Sequence, residues 1–124
     1  MFPKCESLQP TMLSIICPLR DEEDSVQPFF ARLLPVLKDL ELDFEIICVN
    51  DGSQDKTLER LQAAREFESR IRILDLSRNF GKEAALTCGL DHARGQAVIP
   101  IDADLQDPPE LIVDMVHMWQ QGCE

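Results

Sequence analysis

Ala97-Val98-Ile99-Pro100-Ile101-Asp102-Ala103-Asp104-Leu105-Gln106-Asp107-Pro108-Pro109 is the stretch on which the fold turns. Its first five residues have the length and branching of a buried strand, and two carboxylates follow where that strand should end. In an extended backbone positions i and i+2 point the same way, so Asp102 and Asp104 can converge on one cation. Oxygen ligands of this kind suit Mg²⁺ or Mn²⁺, which commonly share their coordination sphere with a substrate's phosphates. The pattern points to a metal–diphosphate site. The acidic residues downstream have a plainer reading, with Asp107 as an N-cap, Pro108 at the first helical position and Glu110 closing a box-like cap. Capping accounts for neither Asp102 nor Asp104.

Working outward, the chain alternates strands with helices. Residues 1–11 are polar and proline-bearing and read as a loose arm. Met12 to Cys17 reads as a buried strand stopped by Pro18. From Val26 to Leu40 apolar residues fall at Val26, Phe29, Phe30, Leu33, Leu34, Leu37 and Leu40, the spacing of one helical face. Pro28 fits its first turn, and Pro35 should kink or divide it. Phe44 to Val49 is a second strand, and Asn50-Asp51-Gly52-Ser53 a turn in which Ser53 or Asp55 can cap a helix over Lys56 to Glu68. Ile71 to Leu76 is a third strand, Ser77 to Lys82 its outgoing loop, and Glu83 to Arg94 a helix closed by Gly95. The Ala97–Ile101 strand and a helix from Pro108 to Gln121 complete the pattern.

Four such alternations imply a Rossmann-like α/β fold, a parallel sheet with right-handed crossovers and helices on both faces. In the doubly wound order 3-2-1-4 the reversal falls between the first and fourth strands. The segment Pro18 to Glu23 would then face Asp102 to Gln106 across a ligand crevice, with Asn50 to Ser53 beside it.

At 124 residues the chain is one small domain, and its 44% hydrophobic and 28% charged content is that of an ordinary globular protein. The formal net charge of -11 argues against a nucleic-acid partner and gives no pull toward anionic lipid, while it suits a divalent cation. Five cysteines without a C-x-x-C pair make neither a disulfide framework nor a zinc site. Cys17 and Cys48, in apolar runs, read as reduced core residues. No secretory signal is evident, and no run approaches the roughly 20 apolar residues of a membrane span, so the chain is expected to be soluble.

Four segments together carry a resemblance. Pro18-Leu19-Arg20-Asp21-Glu22-Glu23, Val49-Asn50-Asp51-Gly52-Ser53-Gln54-Asp55-Lys56-Thr57, Ser77-Arg78-Asn79-Phe80-Gly81-Lys82-Glu83-Ala84-Ala85-Leu86 and Asp102-Ala103-Asp104-Leu105-Gln106-Asp107-Pro108-Pro109-Glu110 resemble the ordered motifs of GT-A fold glycosyltransferases. The branch is that of bactoprenol glucosyltransferases and dolichol-phosphate mannosyltransferases. The likeness runs from about Leu13 to Gly122. It departs from the pattern at Arg20-Asp21, where an aromatic followed by Asn is common, and at Asn50, where many relatives have a second Asp.

The resemblance implies that residues 12–124 are the nucleotide-sugar-binding part of a longer GT-A domain. Pro18, Leu19, Arg20, Glu22, Asp51, Arg78, Lys82, Asp102, Ala103 and Asp104 become donor-binding residues, and Asp102, Asp104 and Gln106 ligands of Mg²⁺ or Mn²⁺. Asp102 and Asp104 would act catalytically through that metal, and the expected reaction is inverting transfer from a nucleotide sugar, UDP-glucose by preference, to a polyprenyl phosphate. The isolated chain would bind donor, with the acceptor engaged by the missing part. The whole protein is expected on the cytoplasmic side of the inner or plasma membrane, anchored there and serving the cell envelope. His92 and His117 lie outside the motifs and read as surface or packing residues. The fourth strand, an open edge, invites self-association. The rival reading is a noncatalytic receiver-like module that binds Mg²⁺ through clustered acids; it would need a phosphorylatable Asp ending the third strand, near Asp75, and a Lys after a fifth.

Overall fold

The computed structural model describes residues 12–40, 42–104, 108 and 110–120. Their order is β1 (Met12–Leu19), α1 (Glu23–Asp39), β2 (Asp43–Asp51), α2 (Thr57–Phe67), β3 (Ile71–Leu76), α3 (Lys82–His92), β4 (Ala97–Pro100) and α4 (Leu111–Gln120). The strands form one parallel sheet, as the alternation predicts, in the doubly wound order β3-β2-β1-β4. The arm expected over residues 1–11, and the roles given to Gln106 and Asp107, fall outside the described residues.

Apolar side chains on both sides of the strands account for the three layers. Leu13, Ile15 and Cys17 of β1, with Phe44, Ile46 and Cys48 of β2, pack against Val26, Phe29, Leu33 and Leu37 of α1, Leu61 of α2 and Ile112 and Val116 of α4. Ile16, Ile47, Val49 and Val98 turn to the opposite face, where Ala85 of α3 meets them. A Cβ on Gly89 would lie 2.5 Å from Ile16 Cγ2, so α3 rests on the sheet at a distance that only glycine permits there.

Two prolines lie within strands, and the ladder explains why. Gln96 N–H donates to Met12 O and Ile101 N–H to Ile16 O, so the even-numbered residues of β1 turn their peptide groups toward β4. Pro18 therefore directs its missing donor at the side where β4 has already ended, and β1 runs on to Leu19 instead of stopping at Cys17. Pro100 stands opposite Ile16, which places its own peptide nitrogen on the outer side of the sheet.

Other boundaries shift for local reasons. α1 begins at Glu23, so Pro28 lies beyond its first turn, and neither Pro28 nor Pro35 divides it. Both prolines are exposed, and water can satisfy the carbonyls they orphan. β2 extends through Asn50 and Asp51, which pair with Asp75 and Leu76. Asp55, not Ser53, accepts the Thr57 N–H at the start of α2. α3 ends at His92, short of Arg94, and Gly95 does not close it. The Gly95 N–H bonds Ser14 Oγ at 2.8 Å, and a Cβ would sit 2.5 Å from that oxygen, so this glycine serves a close approach to β1. α4 starts at Leu111, and Glu110 pairs with Arg32 of α1 at 3.5 Å.

Candidate active site

The carboxyl ends of β1, β2 and β4 surround a cleft of about 250 Å³, lined by Pro18, Leu19, Arg20, Glu22, Asp51, Lys82, Asp102 and Asp104. It sits at the β1/β4 reversal, where doubly wound sheets bind ligands. All four sequence segments reach it. Asp102 and Asp104 do so without the extended geometry expected of them: β4 ends at Pro100, and Ala103 and Asp104 lie in a turn. Ala103 packs into the core at 1% exposure, so its methyl group is not part of the cleft wall. Arg78 is not among the lining residues; its guanidinium lies over the Phe80 ring, 4.8 Å from the centroid.

Lys82 reaches across the opening, its Nζ 2.8 Å from Asp102 Oδ1. That carboxylate holds the ammonium above its ordinary pKa. The opposite happens at Glu22, where burial first, then the negative charges of Asp104 and Asp102, push the carboxyl up to about 6. Glu22 Oε2 is buried without a hydrogen-bond partner. Carboxylates that repel one another around an orphaned oxygen make an oxygen-rich donor set suited to a hard cation. Among the described residues no group of three or more His, Cys, Asp or Glu side chains could by itself hold a metal. Mg²⁺ and Mn²⁺ typically take one or two protein carboxylates and complete their shell with water and substrate phosphate.

A clasp that sequence reasoning missed joins the β1–α1 and β2–α2 loops. Glu22 N–H donates to Thr57 Oγ1 (2.9 Å), Glu23 N–H to Asp55 Oδ2 (3.2 Å), Asp21 N–H to Ser53 Oγ (3.0 Å) and Gln54 N–H to Asp21 Oδ1 (2.7 Å). Asp21 takes a φ of +51° to make these bonds. Its signal in the sequence was an Asp after a strand, a residue type that tolerates this backbone and bonds to neighbouring amides. The clasp fixes where Arg20 and Glu22 stand in the cleft wall.

Comparison with known proteins is decisive for the family. The profile of glycosyl transferase family 2 matches residues 14–124. The chain belongs to glycosyl transferase family 2. Among family 2 relatives, an uncharacterised glycosyltransferase of Synechocystis is 58% identical over 90% of this chain and 35% of its own length. The bactoprenol glucosyl transferase of Shigella phage SfV is 40% identical over 90% of this chain and 36% of its own. The chain thus spans about a third of the curated relatives it matches. Solved structures agree on the GT-A fold. A glucosyl-3-phosphoglycerate synthase from Mycobacterium tuberculosis, in complex with Mn²⁺, UDP and glucosyl-3-phosphoglycerate, aligns with a TM-score of 0.70 at 24% identity, covering 89% of this chain and 40% of that one. The mannosyltransferase of Pyrobaculum calidifontis, in complex with GDP-mannose and Mn²⁺, gives 0.63 at 24%, covering 77% and 28%. The receiver-like alternative loses its footing, since such folds order their strands 2-1-3-4-5. Here Asp75, exposed on β3, accepts a hydrogen bond from Asn50 Nδ2.

Proposed function

We propose that the cleft binds the nucleotide-diphosphate portion of a sugar donor, UDP-glucose by preference, for inverting transfer to a polyprenyl phosphate. The observation that carries this is the convergence of Pro18, Arg20, Glu22, Asp51, Lys82, Asp102 and Asp104, from four separated segments, on one crevice. Pro18, Arg20, Glu22 and Asp51, lining the cleft at the exits of β1 and β2, would hold base and ribose, and a carboxylate can accept the N–H donors of a uracil or guanine edge. Asp102 and Asp104 would hold Mg²⁺ or Mn²⁺, with Gln106 beside them. The metal supplies Lewis-acid stabilisation of the charge left on the departing nucleotide. Lys82 adds a cation on the same side, and Arg78, on its outgoing loop, is a further candidate for phosphate. An acceptor phosphate is already ionised at neutral pH, so displacement at the anomeric carbon requires no strong base from the chain.

The name of the SfV relative supports the polyprenyl-phosphate acceptor, which the remaining two thirds of a full-length enzyme would engage. No helix among the described residues is long and apolar enough to cross a membrane. Anchoring at the cytoplasmic face of the inner or plasma membrane would then fall to other parts of the protein. Exposed Leu111 and Met115, beside Ile99 and Pro100 of β4, support self-association of this chain. A monodisperse monomer in light scattering at high concentration would contradict it.

Thermal unfolding with nucleotide tests the donor reading directly. With Mn²⁺ present, UDP at a hundredfold excess over its Kd should stabilise the chain by about 2.7 kcal/mol. Uridine, which lacks the diphosphate, should do far less. No shift with either UDP or GDP would remove the reading.

A further inference from the structure

We propose that the outer face of α2, with the groove beside it, is a docking surface for a second copy of this chain, the two α2 helices pairing antiparallel about a two-fold axis between Ala63 and Ala64. The pairing uses neither the nucleotide cleft nor the side chains of α4.

A groove of about 320 Å³ runs between α1 and α2, floored by Phe30 and Ile71 and walled by Leu34, Ala63, Ala64 and Phe67. Lys38 and Glu68 close one end through an ion pair at 3.8 Å, and Arg60, two turns earlier on α2, flanks the other. The Phe67 ring is 91% exposed, far more than any other large apolar side chain among the described residues. A ring in water that continues an apolar groove makes a patch, and such patches mark interaction sites.

The occupant follows from the order of side chains along α2. Arg60, Ala63, Ala64 and Phe67 fall at i, i+3, i+4 and i+7, one stripe of the helix, and all four line the groove. Read backwards, the stripe is Phe, Ala, Ala, Arg. Laid antiparallel on its own copy, it sets each Phe67 ring against Arg60 of the second copy and each Ala63 against Ala64, small side chains that let the backbones approach. A closed two-fold dimer requires this reciprocity, in which residue i meets j and j meets i. A guanidinium over a ring is attractive, and the symmetry makes that contact twice. Among the described residues no carboxylate pairs with the Arg60 side chain and no ring of its own chain lies under it, so the cation is open to a ring from outside. The net charge of -11 opposes the pairing of copies in general, but the stripe itself carries no acid.

Sedimentation velocity over a concentration series, under reducing conditions, decides the matter. The unmodified chain should dimerise, and so should Met115→Lys, which blocks the α4 surface. Phe67→Arg sets like charges against each other. At a loss of about tenfold for each of the two symmetry-related contacts, it should raise the dimer dissociation constant about a hundredfold. Arg60→Phe/Phe67→Arg, which exchanges cation and ring, should restore the dimer. Both positions are exposed, so thermal unfolding of the variants, diluted to monomer, should match that of the unmodified chain. A dimer that persists in Phe67→Arg, or that the exchange fails to restore, overturns the proposal. Loss of the dimer in Met115→Lys also overturns it, by assigning the contact to α4. An unmodified chain that stays monomeric throughout hands the groove to another occupant, such as the rest of a full-length enzyme, and overturns it as well.

Discussion

Asp104→Ala should lower the affinity for UDP measured with Mn²⁺ by more than about 100-fold. Losing even an outer hydrogen-bond partner of a metal ligand costs about 10- to 100-fold, and here the proposed ligand itself is removed. Asp104 is exposed and lies in a turn just past the sheet, so the substitution should leave the fold intact. The pattern across conditions is diagnostic. EDTA should reduce the unmodified chain to the level of the variant, and uridine should not distinguish the two. Asp102→Ala should match the loss and also free Lys82, the ion-pair partner of Asp102 at 2.8 Å. Undiminished UDP-dependent stabilisation in Asp104→Ala, read by thermal shift and calorimetry, would rule out a metal–diphosphate site at these residues.

Glu45→Ala should cost about 3 kcal/mol of stability, the lower end of the range for removing one partner of a buried ion pair. Glu45 is 3% exposed on β2. Its Oε2 accepts from the Ser14 hydroxyl (2.6 Å) and the Arg94 N–H (2.7 Å), and its Oε1 from Arg72 (2.7 Å). Arg72 also donates to His92 O, so the network ties β1, β2, β3 and the end of α3 together at the edge of the sheet away from the cleft. Burial alone would raise the Glu45 pKa, but the Ser14, Arg94 and Arg72 donors outweigh it and hold the carboxyl below its ordinary 4.5. A depressed carboxylate contributes stability that is fully present above the unfolded value and lost as pH falls through the folded one. The gap between the unmodified chain and Glu45→Ala in urea denaturation should therefore be constant near neutrality and shrink below about pH 4.5. A gap that widens in acid would contradict this account of the network.

The sheet was legible because its strands are apolar on both faces and its helices repeat near 3.6 residues, patterns that survive tertiary packing. Alternation and handedness imply a parallel sheet, and order 3-2-1-4 is carried over from doubly wound folds. Strand ends were harder. Pro18 reads as a stop, yet its missing donor faces the side where β4 has already ended, which depends on register and not on the local sequence. In the site, motif residues from distant segments met where expected. Asp51 illustrates what spacing cannot supply: it lines the cleft as the motif implies, but only coordinates show its oxygens also accepting the Phe80 and Gly81 N–H groups. The Asp21–Ser53 and Glu22–Thr57 bonds were equally invisible, being agreements between two loops 32 and 35 residues apart.

The outward-facing nitrogen of Pro100 bears on how this protein meets its surroundings. An incoming strand seeking to zip onto β4 would find no hydrogen to accept at its last residue. Templated growth of the sheet on that side loses one ladder bond there, which weakens fibrous stacking of copies. A neighbour on that flank gains more from the greasy side chains of α4, such as Leu111 and Met115, than from the shortened row of peptide donors.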